Sequence, residues 1–512
     1  MKPPRLIRGF VTVGGWTLMS RVLGFVRDAF IAAFLGAGPA AEAFVVAFSL
    51  PNMFRRFFAE GTLNVAFVPL FSKKVQAGED AQGFAEDTLG ALASMLFVLT
   101  LLGTVFMPAL VTAMAAGFIG DDRFDLAVDY GRIAFPYILF IALGALFSGV
   151  LNATGRFAAA AAAPVLLNVI LSVAMVGAAK MGADVGRALI WAVPVAGAAQ
   201  LALVWVAAAR AGFNLRPRLP RLTPELKRLF VLAGPAALAG GVVQVNLLVG
   251  RQVASFSQEG ALQYLNLADR LYQLPLGVVA IAIGVVLLPD LSRRLQAGDG
   301  AGARDAYARA FEFALLLTVP AAVALIAIPE PLISFLFQRG AFTPEDAAKT
   351  ATAVAIYGLG LPAFVMQKVL QPLYFAREDT RTPFRYALVA MGVNAVVAIG
   401  LSFVIGYLAA AVATTVAAWG MVGLLIWGKR SMGDDVRADD RLRTRAPRIL
   451  LASLAMGVLL FGSNLALAPL FEWSRGLGTL VLVTLGIVGY FAVAQGLGAV
   501  SMRELKGALK RR

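Results

Sequence analysis

Residues Gly9–Gly36 read GFVTVGGWTLMSRVLGFVRDAFIAAFLG. As a helix rising 1.5 Å per residue, the stretch is long enough to cross the roughly 30 Å of hydrocarbon in a bilayer. It nevertheless carries Arg21, Arg27 and Asp28 well inside its apolar run. A charge near the bilayer centre costs about 2.5–3.5 kcal/mol on insertion scales. A span that keeps three of them must hold them against partners or face water. Arg21 and Arg27 stand about 120° apart around a helix, which suits a broad wet cavity better than one narrow stripe. For Arg27, nearer the outer end, snorkelling to the interface is the plainer alternative. Arg21, close to mid-span, has that escape less readily.

Similar apolar stretches recur along the whole chain of 512 residues, which is 59% hydrophobic and 15% charged. A soluble domain runs nearer about 45–50% apolar and about 25% charged. Strict apolar–polar alternation is missing, so a barrel is disfavoured and the spans read as helices. Fourteen candidate spans fall near 9–36, 41–71, 84–116, 127–153, 158–180, 187–210, 226–253, 260–291, 306–328, 347–375, 383–406, 408–428, 448–470 and 476–499. The basic N-terminus shows no clear cleavage site, so the first segment reads as a span and not a signal peptide.

The net charge of +15 is gathered in short connections after the even-numbered spans. These hold Lys73 and Lys74; Arg156; Arg210 to Arg228; Arg293 to Arg309; Arg377 to Arg385; and Lys429 to Arg448. The intervening connections are neutral or acidic. By the positive-inside rule both termini are then cytoplasmic, and the basic balance says nothing of nucleic acid. With no cysteine and no histidine, disulfides, thiol nucleophiles, imidazole bases and the usual zinc ligands are excluded. Nothing in the residues asks for a metal or a cofactor.

A duplication is legible. Ala43–Lys74 aligns on Gln263–Arg294, and Pro136, Thr154 and Asn168 are echoed by Pro362, Thr380 and Asn394. The expected organisation is an N-lobe of spans 1–6 (1–215), a C-lobe of spans 7–12 (216–432), and a segment 433–512 with spans 13 and 14 and a basic tail. An even number of spans per half relates the lobes by a pseudo-twofold along the membrane normal, with a cavity between them.

Two further motifs extend the arginine set. Leu50-Pro-Asn-Met-Phe-Arg-Arg-Phe-Phe-Ala-Glu-Gly61 puts Arg55 and Arg56 in span 2. Glu60, one turn beyond Arg56, is placed to pair with it, which leaves Arg55 as the available cation. Pro51 should kink or open that helix. In span 8, Ala268-Asp-Arg-Leu271 places Arg270 beside Asp269, with Pro275 as a second bending point. Arg21, Arg27, Arg55 and Arg270 thus form the candidate site. Asp28, Glu42, Asn52, Glu60 and Asp269 are its supporting polar groups, and Lys368 adds a cation in span 10. Guanidinium groups in a low-dielectric cavity attract an anion, and phosphate matches their bidentate fork. An exporter of organic cations would need the opposite polarity. A polytopic glycosyltransferase or polymerase would need a catalytic carboxylate beside a large outer loop, and no outer loop is long. The reading is a transporter, not an enzyme. Spans 13 and 14 are almost free of charge, and the second is rich in glycine; helix packing and room for a lipid chain both explain this.

Ser20–Asp28, Leu50–Gly61, Ala66-Phe-Val-Pro69 and Ala268–Gly277 together resemble the MurJ (MviN) lipid II flippases of the MOP exporter superfamily, and the resemblance covers essentially the whole chain. It implies transport of lipid II, the undecaprenyl-diphosphate-linked peptidoglycan precursor, from the cytoplasmic to the periplasmic leaflet of the inner membrane by alternating access. The family's essential cavity arginines fall on Arg21, Arg27, Arg55 and Arg270. Glu42 stands where the family usually has aspartate. The family uses spans 13 and 14 as a groove for the lipid tail. Expected partners are lipid II and membrane lipids, with room for a cell-wall synthesis or division complex. The rival readings are a MOP-type flippase for another lipid-linked oligosaccharide and a cation-coupled multidrug exporter. Span 7 has no carboxylate from Leu229 to Val253, so ion coupling is left open.

Overall fold

The computed structural model describes residues 3–55, 63–220, 223–229, 231, 248–433 and 439–500, and every regular element among them is helical. The first group of helices is α1 (Pro3–Leu35), α2 (Pro39–Arg55), α3 (Leu63–Ala77), α4 (Ala81–Val105), α5 (Met107–Ala115), α6 (Asp122–Ala134), α7 (Tyr137–Ala153), α8 (Ala158–Lys180) and α9 (Val185–Arg210). Then come α10 (Ala261–Gln296), α11 (Gly300–Ala327), α12 (Pro329–Phe337), α13 (Pro344–Phe375), α14 (Arg381–Ile405), α15 (Leu408–Gly428), α16 (Asp440–Ala466), α17 (Ala468–Trp473) and α18 (Arg475–Gly496).

Ten of these are long and apolar enough to cross a membrane, counting α6 with α7 as one. The other four expected spans are α1, α2 with α3, the seventh, and α10, each described only in part. The chain is a multi-pass integral membrane protein. Among the described residues two expected spans break well inside their length. The third breaks at Phe106, where Pro108 opens α5. The fourth breaks at Phe135 and Pro136, between α6 and α7. Both breaks fit proline's missing N–H. Pro51 and Pro275 behave differently: α2 runs through Pro51 to Arg55, and α10 is one helix through Pro275 and Pro289. Neither proline interrupts its helix within the described residues.

The helix starts explain the acidic residues of the connections. Asp80, Asp184, Asp299 and Asp439 accept from the backbone N–H groups of Gly83, Arg187, Gly302 and Leu442 at 2.7, 3.0, 2.8 and 2.8 Å. Asp121 does the same for Arg123 at 3.0 Å, and Thr343 forms a capping box with Asp346. Each cap satisfies an orphan donor of the first turn.

Two compact units result. One comprises Met1–Gln263 with Arg339–Phe342, the other Tyr264–Gln338 with Thr343–Arg512. In the first, α1 packs on α8, α2 on α6, and α7 and α8 on α9. The expected lobe boundary at 215/216 lies inside this unit. The physical reason is that residues 248–255 bond back to α5 and the turn after it: Gln252 donates to Thr112 O at 3.0 Å and accepts from Ala116 N at 2.7 Å, and Ser255 Oγ accepts from Gly117 N at 3.0 Å. Residues 339–342 join it because Ala341 N donates to Ala33 O at 2.8 Å, at the end of α1. Gly340, at φ 58°, makes that approach: a Cβ there would sit 2.2 Å from Ala33 O. In the second unit α11 packs on α13 and α16, α15 on α13 and α14, and α16 on α18. Ile449, Met456, Leu460, Leu482 and Tyr490 form the core that seats α16 and α18 against α11, and Tyr490 donates to Leu316 O at 2.9 Å.

Candidate functional site

The charged motif of α1 is organised by burial. Arg27 is 6% exposed and Asp28 3%. Arg27 donates Nε and Nη2 to Asp28 Oδ1 at 3.0 and 2.6 Å. Its Nη1 donates to Asn168 Oδ1 on α8 at 3.0 Å, and its guanidinium lies 5.8 Å from the Phe48 ring of α2. Arg27 therefore turns into the unit and does not snorkel outward. The reason is chemical: a carboxylate and an amide offer it acceptors inside. Arg21, on another face of α1, is exposed.

On α2, Pro51 is buried and Asn52 half-buried. Asn52 Nδ2 donates to Phe48 O at 2.8 Å. Arg55 is the last residue of α2; its side chain, and Arg56 and Glu60 altogether, lie outside the described residues, as does the ion pair expected between those two. Glu42, in the first turn of α2, is fully buried. It accepts from Arg123 Nη1 at 3.0 Å and from Leu262 N at 3.0 Å. Arg123 also pairs with Asp121 at 2.7 Å and covers the Phe118 ring at 4.4 Å. Backbone and side-chain donation from Arg123 holds the Asp121 carboxyl below its ordinary value.

Arg270 and Asp269 are half-buried on α10, as is Pro275, and Asp269 accepts from Gln273. Tyr272, two residues after Arg270, stacks on Phe364 of α13 at 5.2 Å between centroids and meets Tyr357 tilted at 4.9 Å. Lys368, also on α13, is exposed. Arg21 and Arg27 thus belong to one unit and Arg270 to the other.

Three groups of polar partners were not read from the sequence. Asn168 entered only as an echo of Asn394, though a buried amide inside an apolar span is itself a signal. Arg123 was read as part of an acidic connection, but it is the buried partner of Glu42. The third group is a cluster in the second unit. Glu312 on α11 accepts from Arg309, from Arg441 at 3.1 and 3.2 Å, and from Arg445 at 2.6 Å. Arg309 also reaches Asp439. The basic run read as a connection between spans in part ties α16 to α11. Beside it Lys429 donates to the Tyr307 hydroxyl at 3.0 Å, and burial pushes its ammonium below the ordinary lysine value.

Residues 31–483 match the family model for lipid II flippase MurJ. The chain is 44% identical to the probable lipid II flippase MurJ of Rhizobium meliloti, over 99% of this chain and 96% of that protein. It is 37% identical to the lipid II flippase MurJ of Burkholderia cenocepacia, over 75% and 76% of the two chains. Among solved structures it superposes on lipid II flippase MurJ in an inward closed conformation, with a TM-score of 0.79 at 24% identity, covering 94% of this chain and 98% of that one. An inward-facing multidrug resistance MATE family transporter of the MOP superfamily shares the fold at a TM-score of 0.64 and 14% identity, over 82% and 98%. By sequence along nearly its whole length, and by fold, the chain belongs to the lipid II flippase MurJ family.

Proposed function

We propose that this protein moves lipid II from the cytoplasmic to the periplasmic leaflet of the bacterial inner membrane. The observation that carries the reading is the 44% identity, across 99% of the chain, to a relative of that name. The chemistry of α1 supports it. Arg27 is held in a buried site by one carboxylate and one neutral amide, and a guanidinium held this way retains donors for a diphosphate. In this reading Arg21, Arg27, Arg55 and Arg270 engage the diphosphate and nearby anionic groups. Asp28, Glu42, Pro51, Asn52, Glu60, Asp269 and Pro275 support or gate them. The site opens in turn to the cytoplasm and the periplasm, with both termini cytoplasmic. The isoprenoid tail stays in lipid along α16 and α18, whose outer faces expose Val458, Phe461 and Val488. Lobes 1–215 and 216–432 are the proposed halves of the cycle, with 433–512 as the tail-binding addition.

The test is complementation of a strain depleted of its lipid II flippase, paired with a leaflet assay for lipid II. Wild type restores growth and moves lipid II outward, and Arg21→Ala, Arg27→Ala, Arg55→Ala and Arg270→Ala fail while reaching the membrane. Growth restored equally by all four variants would sink the arginine site. A wild-type protein that leaves lipid II in the inner leaflet would sink the substrate.

A further inference from the structure

We propose that Asn168 is a positioning residue for anion capture by α1: its side-chain amide ties the Ser20 carbonyl to the Arg27 guanidinium. It thereby sets the rotation of α1 against α8 and the direction in which Arg27 offers its remaining N–H groups. This rests on the diphosphate reading above.

The amide's orientation is decided by its surroundings. Asn168 is 5% exposed, on α8. Its Nδ2 donates to Ser20 O at 3.0 Å and to Pro164 O at 3.2 Å, which leaves Oδ1 to accept from Arg27 Nη1 at 3.0 Å. The reverse orientation would set an oxygen against two carbonyls and an NH2 against a guanidinium, so all three contacts would be lost. Ser20, Gly24 and Arg27 stand at i, i+4 and i+7, one stripe of a helix. The amide lies across that stripe: a Cβ on Gly24 would sit 3.5 Å from Asn168 Nδ2. One side chain of α8 therefore reads two turns of α1. Arg21 is the neighbour of Ser20, so the same bond that holds the Ser20 carbonyl fixes the face on which Arg21 emerges.

Charge explains why an amide and not a carboxylate fills the position. Asp28 already supplies one negative charge to Arg27. A second carboxylate at 168 would leave the group net negative and repel an anion. A neutral amide orients the guanidinium and keeps the Arg27–Asp28 pair at zero net charge.

The experiment uses the full-length protein, purified in detergent, as wild type, Asn168→Ala, Asn168→Asp, Arg27→Ala and the double variant Asn168→Ala with Arg27→Ala. Lipid II binding and melting midpoint are measured for each. Asn168→Ala is expected to weaken lipid II binding about tenfold. Asn168→Asp should weaken it at least as much, although it keeps an acceptor for Arg27, which a purely space-filling role would not predict. The double variant should bind no more weakly than Arg27→Ala, because Asn168 acts through Arg27. Binding by Asn168→Ala within twofold of wild type, or a double variant that loses the sum of both effects, would overturn the proposal. If Asn168→Ala does not fold, Asn168→Ser takes its place in the same comparison. Should wild type bind no lipid II, the substrate reading fails. The melting midpoints then still decide the pairing: non-additive losses retain it, and additive losses overturn it.

Discussion

The buried charges of α1 and those around Glu312 solve the same problem with opposite arithmetic. At Glu312 one carboxylate accepts from Arg309, Arg441 and Arg445, and its two oxygens take four hydrogen bonds. A carboxylate has about four lone-pair sites, so this one is saturated. At Arg27 one guanidinium is shared between a single carboxylate and a neutral amide, and three of its five N–H groups are spent on described residues. The first arrangement is closed and holds α16 on α11. The second leaves two of the five Arg27 N–H groups uncommitted among the described residues, which is what the proposed anion site requires. Arginines in membrane helices are therefore not all evidence of a binding site; a carboxylate saturated by several of them marks a structural tie.

The largest effect should come from breaking the closed cluster. Glu312→Ala removes the carboxylate shared by Arg309, Arg441 and Arg445, while Arg309 keeps Asp439, and loss of about 3 kcal/mol of stability is expected. It is measured by thermal or denaturant unfolding in detergent, while the folded fraction binds lipid II within twofold of wild type. A folded Glu312→Ala protein that no longer binds lipid II would erase the distinction. Arg27→Ala is expected to do the reverse: lipid II affinity falls by roughly 30-fold, about 2 kcal/mol for a lost charged hydrogen-bond set, as read by titration. Loss of stability with unchanged affinity would move Arg27 into the structural class.

How much of this was legible follows from what each signal requires. Helix identity and membrane class depend on local composition and could be read directly, as could the presence of Arg21, Arg27 and Arg270 on helices. The partners could not. Asn168 lies 141 residues from Arg27 and Arg441 lies 129 from Glu312, and such pairs depend on how each helix is rotated against its neighbour. The break at Phe106 was missed because α4 and α5 are both apolar, so composition does not change across it.

The duplication supplies a finer comparison. Asn394, the echo of Asn168, is 2% exposed on α14 but donates to the Thr414 hydroxyl at 3.4 Å, a long neutral contact. Asn394→Ala should cost about 1 kcal/mol of stability and leave lipid II binding unchanged; a tenfold loss of binding would show that both asparagines serve the anion site. The smallest effect is expected at Asp379. It accepts from Thr382 N at 2.9 Å at the start of α14, and that bond holds its carboxyl below the ordinary value. A depressed carboxylate stabilises the fold above its unfolded value, and that stability is lost as pH falls through the lower, folded value. Asp379→Ala should therefore destabilise by under about 1 kcal/mol at neutral pH, with the difference from wild type vanishing in strong acid. An unchanged difference there would sink the cap.

The bond from Ala341 N to Ala33 O turns α1 into a lever with one end pinned. Arg21 lies twelve residues before that pin, about 18 Å along the helix axis. In the proposed reading, a force applied by an anion at Arg21 or Arg27 then cannot simply slide the helix along its length, because the clamp at Ala33 resists it. It must act as torque or as flexure, and the small residues Ala32 and Ala33 sit where that bending moment is greatest.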